Sequence, residues 1–123
     1  MHSVAQTHAF VRAVEEAGMT EDEVDRLVSY LAENPIAGVE IAGTGGCRKL
    51  RVPARGKGKS GGYRVITFFT GESYPVFLIT VFSKGERANL SKAECNELRV
   101  LTKSIVNAYR AQAVVHTMKG KKR

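Results

Sequence analysis

Apolar residues near the N-terminus recur at the spacing of an amphipathic helix. Thr7 can cap a first helix of about ten residues, and Gly18 can end it, because glycine readily adopts the left-handed conformation at helix ends. One face of this helix carries Phe10, Val11 and Val14. The few residues before Thr7 are expected to form a short edge strand.

A second helix is expected after a very short turn. Thr20 and Glu23 have the spacing of a capping box, in which each side chain accepts a hydrogen bond from the other residue's backbone N–H. The helix ends before Pro35. Its apolar stripe consists of Val24, Leu27, Val28 and Leu31. Because the connection is short, the two helices are predicted to form an antiparallel hairpin.

Three strand patterns follow in the middle of the chain. The segment from Cys47 to Val52 alternates between two sides and ends at Pro53. The segment from Tyr63 to Phe69 is rich in β-forming residues, and that from Val76 to Phe82 is continuously apolar or β-branched. Residues 70–73 form a turn between these two. The short connections predict antiparallel strands.

A last helix opens with a second capping-box pair, Ser91 and Glu94, and is predicted to run to about Ala111. Its buried stripe is predicted to contain Leu98, Leu101, Ile105 and Val106. Residues 113–123 are predicted to form a flexible basic tail. The element order predicts one α+β domain over residues 1–123, with a small twisted antiparallel sheet and the helices packed on one of its faces.

The net charge of +7 is unevenly distributed along the chain. Residues 1–40 hold two basic and eight acidic residues, a net charge of −6. Residues 41–71 hold seven basic residues and no carboxylate. Such a concentration of like charges favours a polyanionic partner, most simply the phosphates of a nucleic acid. The seven are Arg48, Lys49, Arg51, Arg55, Lys57, Lys59 and Arg64.

Several other classes of protein do not fit this chain. It has no apolar run of the ~20 residues that a membrane-spanning helix needs, and no secretory signal pattern. Cys47 and Cys95 form no CxxC pair and have no histidine at metal-ligand spacing, so they are expected to be two reduced thiols of a cytoplasmic protein. We therefore expect no metal and no small-molecule cofactor.

The loop between the first two predicted strands resembles a nucleotide-binding motif without matching its context. Residues 56–61 read Gly-Lys-Gly-Lys-Ser-Gly, which contains both G-x-G-x-x-G and the end of a P-loop. A P-loop needs a glycine where Pro53 stands, and both motifs must open a helix, whereas a strand follows here. The glycines instead allow the loop to approach a nucleic-acid backbone closely.

The residue types leave two kinds of chemistry open. No acidic cluster accompanies the cations, which argues against a metal-dependent nuclease. RNA can be cleaved without metal when a base activates the 2′-hydroxyl, an acid protonates the leaving oxygen and cations hold the phosphate. A lysine can act as the base when neighbouring cations lower its pKa. Alternatively, all of the cations simply contact phosphates.

Two stretches of the chain resemble the RelE/ParE superfamily of toxin–antitoxin toxins, and in particular its HigB-like branch. They are GTGGCRKLRVPARGKGKSGGYRVITFF and VFLITVFSKGERANLSKAE, which together span most of residues 43–94. The resemblance implies a RelE-like domain that acts as a ribosome-dependent mRNA endonuclease in the cytoplasm and halts translation. Its implied partners are the ribosome, mRNA and a cognate antitoxin protein.

The resemblance also implies site residues. Cations of such toxins lie on the strand after the glycines, at the start of the next strand and after the last strand. Lys49 or Arg51 would activate the 2′-hydroxyl or hold the phosphate, Arg64 would stabilise the transition state, and Lys84 would lie near the leaving group. The further RNA-binding residues would be Arg48, Arg55, Lys57, Lys59 and Arg87.

Three positions depart from the family pattern. Gly85, Asn89 and Ser91 replace residues that are common in these toxins, so the resemblance does not assign the general acid. Two alternative functions share the fold or the charge: a toxin that poisons DNA gyrase, and an RNA-binding module without enzymatic activity. The full set of Lys49, Arg51, Arg64 and Lys84 favours the endonuclease.

Overall fold

A computed structural model describes residues 2–54, 62–71, 73–84 and 89–121. The elements are β1 (Val4–Gln6), α1 (His8–Ala17), α2 (Glu21–Glu33), β2 (Val39–Glu40), β3 (Cys47–Val52), β4 (Tyr63–Phe68), β5 (Val76–Ser83) and α3 (Lys92–Lys121). The α+β class and the order of the main helices and strands are as predicted. The two-residue strand β2 was not predicted, since so short a segment carries no periodicity.

The five strands form one mixed sheet in the order β1-β5-β4-β3-β2. Strands β2 to β5 pair antiparallel, as the short connections predicted. The predicted edge strand exists as β1, but it pairs with β5 in parallel, so the prediction of a wholly antiparallel sheet was wrong. The connection rule concerns strands consecutive in the chain, and the helical hairpin separates β1 from the other strands.

The helices cover both faces of the sheet, so the prediction that they pack on one face was wrong. The hairpin of α1 and α2 packs with Tyr63 and Val65, whereas α3 packs with Ile66 and Phe68. All six residues of β4 are buried. A central strand that is buried at every position must be covered on both faces of the sheet. The hairpin covers one face and α3 covers the other.

The helix termini are formed as the sequence predicted. Thr7 accepts from the Phe10 N–H, and Gly18 ends α1 with φ of 75°. The Thr20–Glu23 capping box is present, and the Ser91–Glu94 pair forms the same reciprocal bonds, of 2.8 and 3.1 Å.

The predicted apolar stripes are correct except at two residues. Val24, Leu27 and Leu31 of α2 are buried, whereas Val11 of α1 is 54% exposed and Leu101 of α3 is 38% exposed. The two exceptions lie at the margins of their stripes.

Helix α3 is continuous to Lys121, which places its end about ten residues beyond the predicted end at Ala111. The flexibility of residues 113–123 stays a prediction. None of the helices in the described part of the chain is long and apolar enough to cross a membrane.

A buried polar contact ties the helical hairpin to the start of β4. The Tyr63 hydroxyl lies 3.1 Å from Glu23 Oε1 and 3.3 Å from the Gly18 carbonyl oxygen. The same Glu23 oxygen accepts from the Thr20 N–H at 2.9 Å. One carboxylate thus closes the capping box of α2 and fixes the residue next to Arg64.

Candidate functional site

The ends of three strands meet at one edge of the domain. Val52 at the end of β3 lies opposite Tyr63 at the start of β4, and Tyr63 lies opposite Ser83 at the end of β5. The Lys84 N–H extends this register by donating to the Gly62 carbonyl oxygen at 3.1 Å. Residues that are distant in the sequence are therefore brought together at this edge.

Gly62 shows why the sequence needs a glycine at this edge. Its φ is +65°, a backbone angle that residues other than glycine rarely adopt. A Cβ there would collide with the Val52 carbonyl oxygen. The glycine lets the chain re-enter the sheet in contact with the end of β3. The spacing of the strands under the cations therefore depends on it.

Three of the predicted catalytic cations lie on the sheet face that α3 covers. Lys49 and Arg51 lie two and four positions after Cys47 on β3, so all three side chains share one face of the sheet. Cys47 packs on the α3 side. Arg51 is the cross-strand partner of Arg64, and Lys49 is the partner of Ile66. Directly opposite residues have Cβ atoms roughly 4.5–5.5 Å apart, so the two arginines start from neighbouring positions.

The four predicted catalytic cations differ in exposure. Arg51 and Lys84 are exposed and Lys49 is half-buried. Arg64 is only 6% exposed, and its Nη1 donates to the Tyr63 carbonyl oxygen at 3.3 Å. The exposed cations are thus available to a phosphate directly, whereas Arg64 provides a positive charge beneath them.

Lys49 makes a contact that the sequence did not predict. Its Nζ donates to Asn89 Oδ1 at 3.1 Å, across 40 positions of the chain. In the sequence, Asn89 stands out only as a departure from the family pattern. No signal in one sequence could have paired it with Lys49, because no local pattern relates two residues 40 positions apart.

Not all of the predicted RNA-binding residues join this cluster. Arg48 alternates with Lys49 and so lies on the opposite face, where it is half-buried and approaches the Gly38 carbonyl oxygen at 3.5 Å. The remaining four lie outside the described residues, and their roles stay predictions. They are Arg55, Lys57, Lys59 and Arg87.

Arg51 also borders a groove between α2 and β3 with a volume of about 450 Å³. Its lining combines apolar side chains with the charged side chains of Glu23, Arg26 and Arg51. It could not be predicted from the sequence, since its lining comes from two elements that are not adjacent in the chain. The lining residues are Glu23, Arg26, Leu27, Tyr30, Leu50, Arg51, Val52 and Pro53.

Both cysteines are free thiols, as predicted. Burial raises the pKa of the Cys47 thiol from 9.0 to about 11; a hydrogen bond with Thr44 opposes this rise, and Cys95 adds to it. Cys47 is therefore protonated at neutral pH. Burial therefore disfavours a thiolate nucleophile at this position.

Comparison with known proteins gives the same fold and identifies the family. The sequence profile described as RelE toxin of RelE / RelB toxin-antitoxin system matches residues 2–122. A solved structure of the E. coli toxin RelE, an arginine-substituted mutant in the free state, is similar with a TM-score of 0.50 and 18% identity. The alignment covers 82% of this chain and 96% of that chain. Placement in the HigB-like branch stays a prediction. Because the profile spans nearly the whole chain, the protein belongs to the RelE toxin family, the toxin component of a toxin–antitoxin system.

Proposed function

We propose that this toxin is a ribosome-dependent, metal-independent mRNA endonuclease whose site lies at the strand ends around Arg51 and Arg64. The observation that carries the proposal is the direct cross-strand pairing of these arginines, with Lys49 and Lys84 beside them. Like charges opposite each other weaken a sheet. A phosphate between or above them converts that repulsion into attraction, so the arrangement suits a polyanionic substrate.

The charge distribution over the fold also supports RNA binding on the side of the sheet that carries Lys49 and Arg51. Residues 1–40 carry a net charge of −6, and their two helices cover the sheet face opposite Lys49 and Arg51. The protein therefore has an acidic helical side and a basic side. Such a charge separation steers the basic side toward ribosomal RNA during the encounter.

The proposed reaction is an internal phosphoryl transfer. The ribose 2′-oxygen loses its proton to a base and bonds to the adjacent phosphorus, while the bond from phosphorus to the 5′-oxygen breaks. A proton goes to the departing 5′-oxygen, which leaves a 2′,3′-cyclic phosphate and a 5′-hydroxyl. The transition state carries more charge on the phosphate oxygens than the ground state does, so preorganised cations accelerate the step.

The exposures suggest distinct roles for the four cations. Lys49 or Arg51 would activate the 2′-hydroxyl or hold the phosphate, and exposed Lys84 would stand near the leaving oxygen. Buried Arg64 acts as a fixed positive charge beneath the phosphate, in surroundings where water and salt screen it less. These assignments require no cofactor.

The proposed partners are the ribosome with its mRNA and a cognate antitoxin protein. The antitoxin would neutralise the toxin by bringing acidic or apolar residues to the basic side, or by preventing access to the ribosome from a nearby face. Complementary charges would speed capture of the toxin. Coexpression of the antitoxin should therefore relieve growth arrest caused by the toxin.

The experiment adds the purified toxin to three separate reactions. These contain mRNA on programmed ribosomes, the same mRNA free in solution, and DNA gyrase acting on relaxed plasmid. We expect cleavage of the ribosome-bound mRNA alone and normal supercoiling. Inhibited supercoiling with intact mRNA would assign the protein to the gyrase-poisoning alternative, and binding of RNA without cleavage would make it an RNA-binding module.

A further inference from the structure

A hydrogen bond connects the centre of the cationic face to the segment that leads into α3. Lys49 Nζ donates to Asn89 Oδ1 at 3.1 Å. Lys49 lies in mid-strand and is half-buried, whereas Asn89 is exposed. A lysine side chain has many rotamers, so an acceptor at hydrogen-bond distance selects among them.

The acceptor belongs to a segment that is anchored on its C-terminal side. Leu90, the next residue, packs into the cluster beneath α3. Ser91 and Glu94 then close the capping box that starts the helix. The Asn89 amide is therefore attached to an anchored backbone rather than to a solvated chain.

We propose that Asn89 is a positioning residue that holds the Lys49 amine on the α3 face of the sheet, toward the scissile phosphate. The proposal rests on the proposed RNA cleavage for the role of Lys49, but the contact itself does not. An aspartate in this place would neutralise the lysine and compete with the phosphate. The neutral amide leaves the positive charge available to the substrate.

The amide also suits both protonation states of a lysine that exchanges a proton. Its oxygen accepts from the ammonium group, and after rotation of the amide its NH₂ group can donate to the lone pair of the neutral amine. A carboxylate offers only the first of these bonds. An asparagine can therefore keep the amine in place before and after it takes up a proton.

The charged and titratable groups around Lys49 come from each neighbouring element. Glu40 of β2 lies opposite Arg48 and so belongs to the other face. Among the residues that the structure describes, those on or beside the α3 face include Cys47, Arg51, Arg64, Lys84, Glu94 and Cys95. Cations predominate among them, so a new carboxylate at position 89 would be a large local change.

The test compares Asn89→Ala and Asn89→Asp with the parent. Single-turnover cleavage on programmed ribosomes is measured against pH, together with ribosome affinity. Carbon-13 NMR of labelled lysine side chains follows the Lys49 amine, assigned through Lys49→Arg. The matched controls are Asn107→Ala and Asn107→Asp, because Asn107 is an exposed asparagine farther along α3.

Asn89→Ala should lower the cleavage rate by roughly tenfold to a hundredfold, the effect of a misplaced catalytic group, with ribosome affinity nearly unchanged. Asn89→Asp should move the titration of the Lys49 amine, and the pH–rate profile with it, to higher pH, because a carboxylate favours the protonated form. The Asn107 variants should behave like the parent.

Two results would overturn the proposal. One is cleavage by Asn89→Ala at the parental rate, and the other is an identical Lys49 titration in the parent and in Asn89→Asp. A parent that leaves ribosome-bound mRNA intact would instead contradict the proposed function. In that case the NMR comparison still decides whether Asn89 sets the position and surroundings of the Lys49 amine.

Discussion

Arg51 on β3 and Arg64 on β4 face each other as direct cross-strand partners. Arg51 is exposed and Arg64 is 6% exposed, so the repulsion between them is only partly screened by water. Like charges directly opposite each other weaken a sheet, so the rest of the fold must offset this repulsion. Local conflicts of this kind are typical of functional sites.

This pairing predicts a trade-off between stability and activity. Arg51→Thr removes the repulsion and introduces a good strand former, so the free energy of unfolding should rise by about 0.2–1 kcal/mol while cleavage falls. Arg48→Thr is the matched control, because Arg48 lies on the same strand opposite Thr67, an uncharged residue. Urea unfolding measures the stability of both variants. A loss of stability in Arg51→Thr as large as that in Arg48→Thr would show that the arginine pair is not repulsive.

The cationic face also predicts a steep salt dependence of ribosome binding. Each phosphate contact contributes roughly −0.7 to the slope of log affinity against log salt for single-stranded nucleic acid. Arg51→Ala should make the slope shallower by about one contact, whereas Arg110→Ala, on the exposed surface of α3, should not change it. Sedimentation with ribosomes at several salt concentrations gives these slopes. An affinity independent of salt would exclude this face as the contact surface.

The buried thiol of Cys47 predicts a loss of stability in alkali. Its pKa is raised to about 11 in the folded protein, from 9.0, so the unfolded chain loses this proton first. The folded state binds more protons between these values, and the free energy of unfolding therefore falls as pH rises from about 9 to about 11. Urea unfolding at pH 8 and pH 10.5 should show a smaller fall in Cys47→Ala than in the parent. An equal fall in both proteins would contradict the assignment to Cys47.

The contact between Tyr63 and Glu23 predicts that the helical hairpin depends on one hydroxyl. Tyr63→Phe keeps the ring in the core but removes the bonds to Glu23 and Gly18, so unfolding should become easier by roughly 1.5–3 kcal/mol, the range for bonds to charged groups. Tyr30→Phe, on an exposed residue of α2, is the control. Thermal and urea unfolding would measure the difference. Equal stabilities of the two variants would show that the Tyr63 hydroxyl does not contribute.

Local signals explain why so much of the fold could be predicted. Thr7, the Thr20–Glu23 box and the Ser91–Glu94 box each require only residues within one helical turn, and all three formed as expected. The alternation that separates Lys49 and Arg51 from Arg48 is equally local. Such patterns specify elements and faces without any knowledge of the neighbouring elements.

The predictions that were wrong concern relationships between distant parts of the chain. The parallel pairing of β1 with β5 and the position of α3 on its own face depend on how elements far apart in the chain pack together. The same holds for the contact between Lys49 and Asn89 and for the groove beside Arg51. Sequence periodicity gives a residue its face but not the residue that lies opposite it across the domain.

The central claim is that the strand-end cations catalyse cleavage rather than only bind RNA. Lys84→Ala tests it most directly, because Lys84 is exposed and its backbone N–H contact with Gly62 survives the substitution. Lys103→Ala, an exposed lysine of α3, is the control.

The decisive measurement is the single-turnover cleavage rate on programmed ribosomes, with ribosome affinity measured in parallel. Lys84→Ala should lower the rate by roughly a hundredfold to a thousandfold, the effect of losing one transition-state contact, while affinity falls only slightly. The parent's products should carry a 2′,3′-cyclic phosphate and a 5′-hydroxyl. Cleavage by Lys84→Ala at the rate of Lys103→Ala, or products with a 5′-phosphate, would contradict the account.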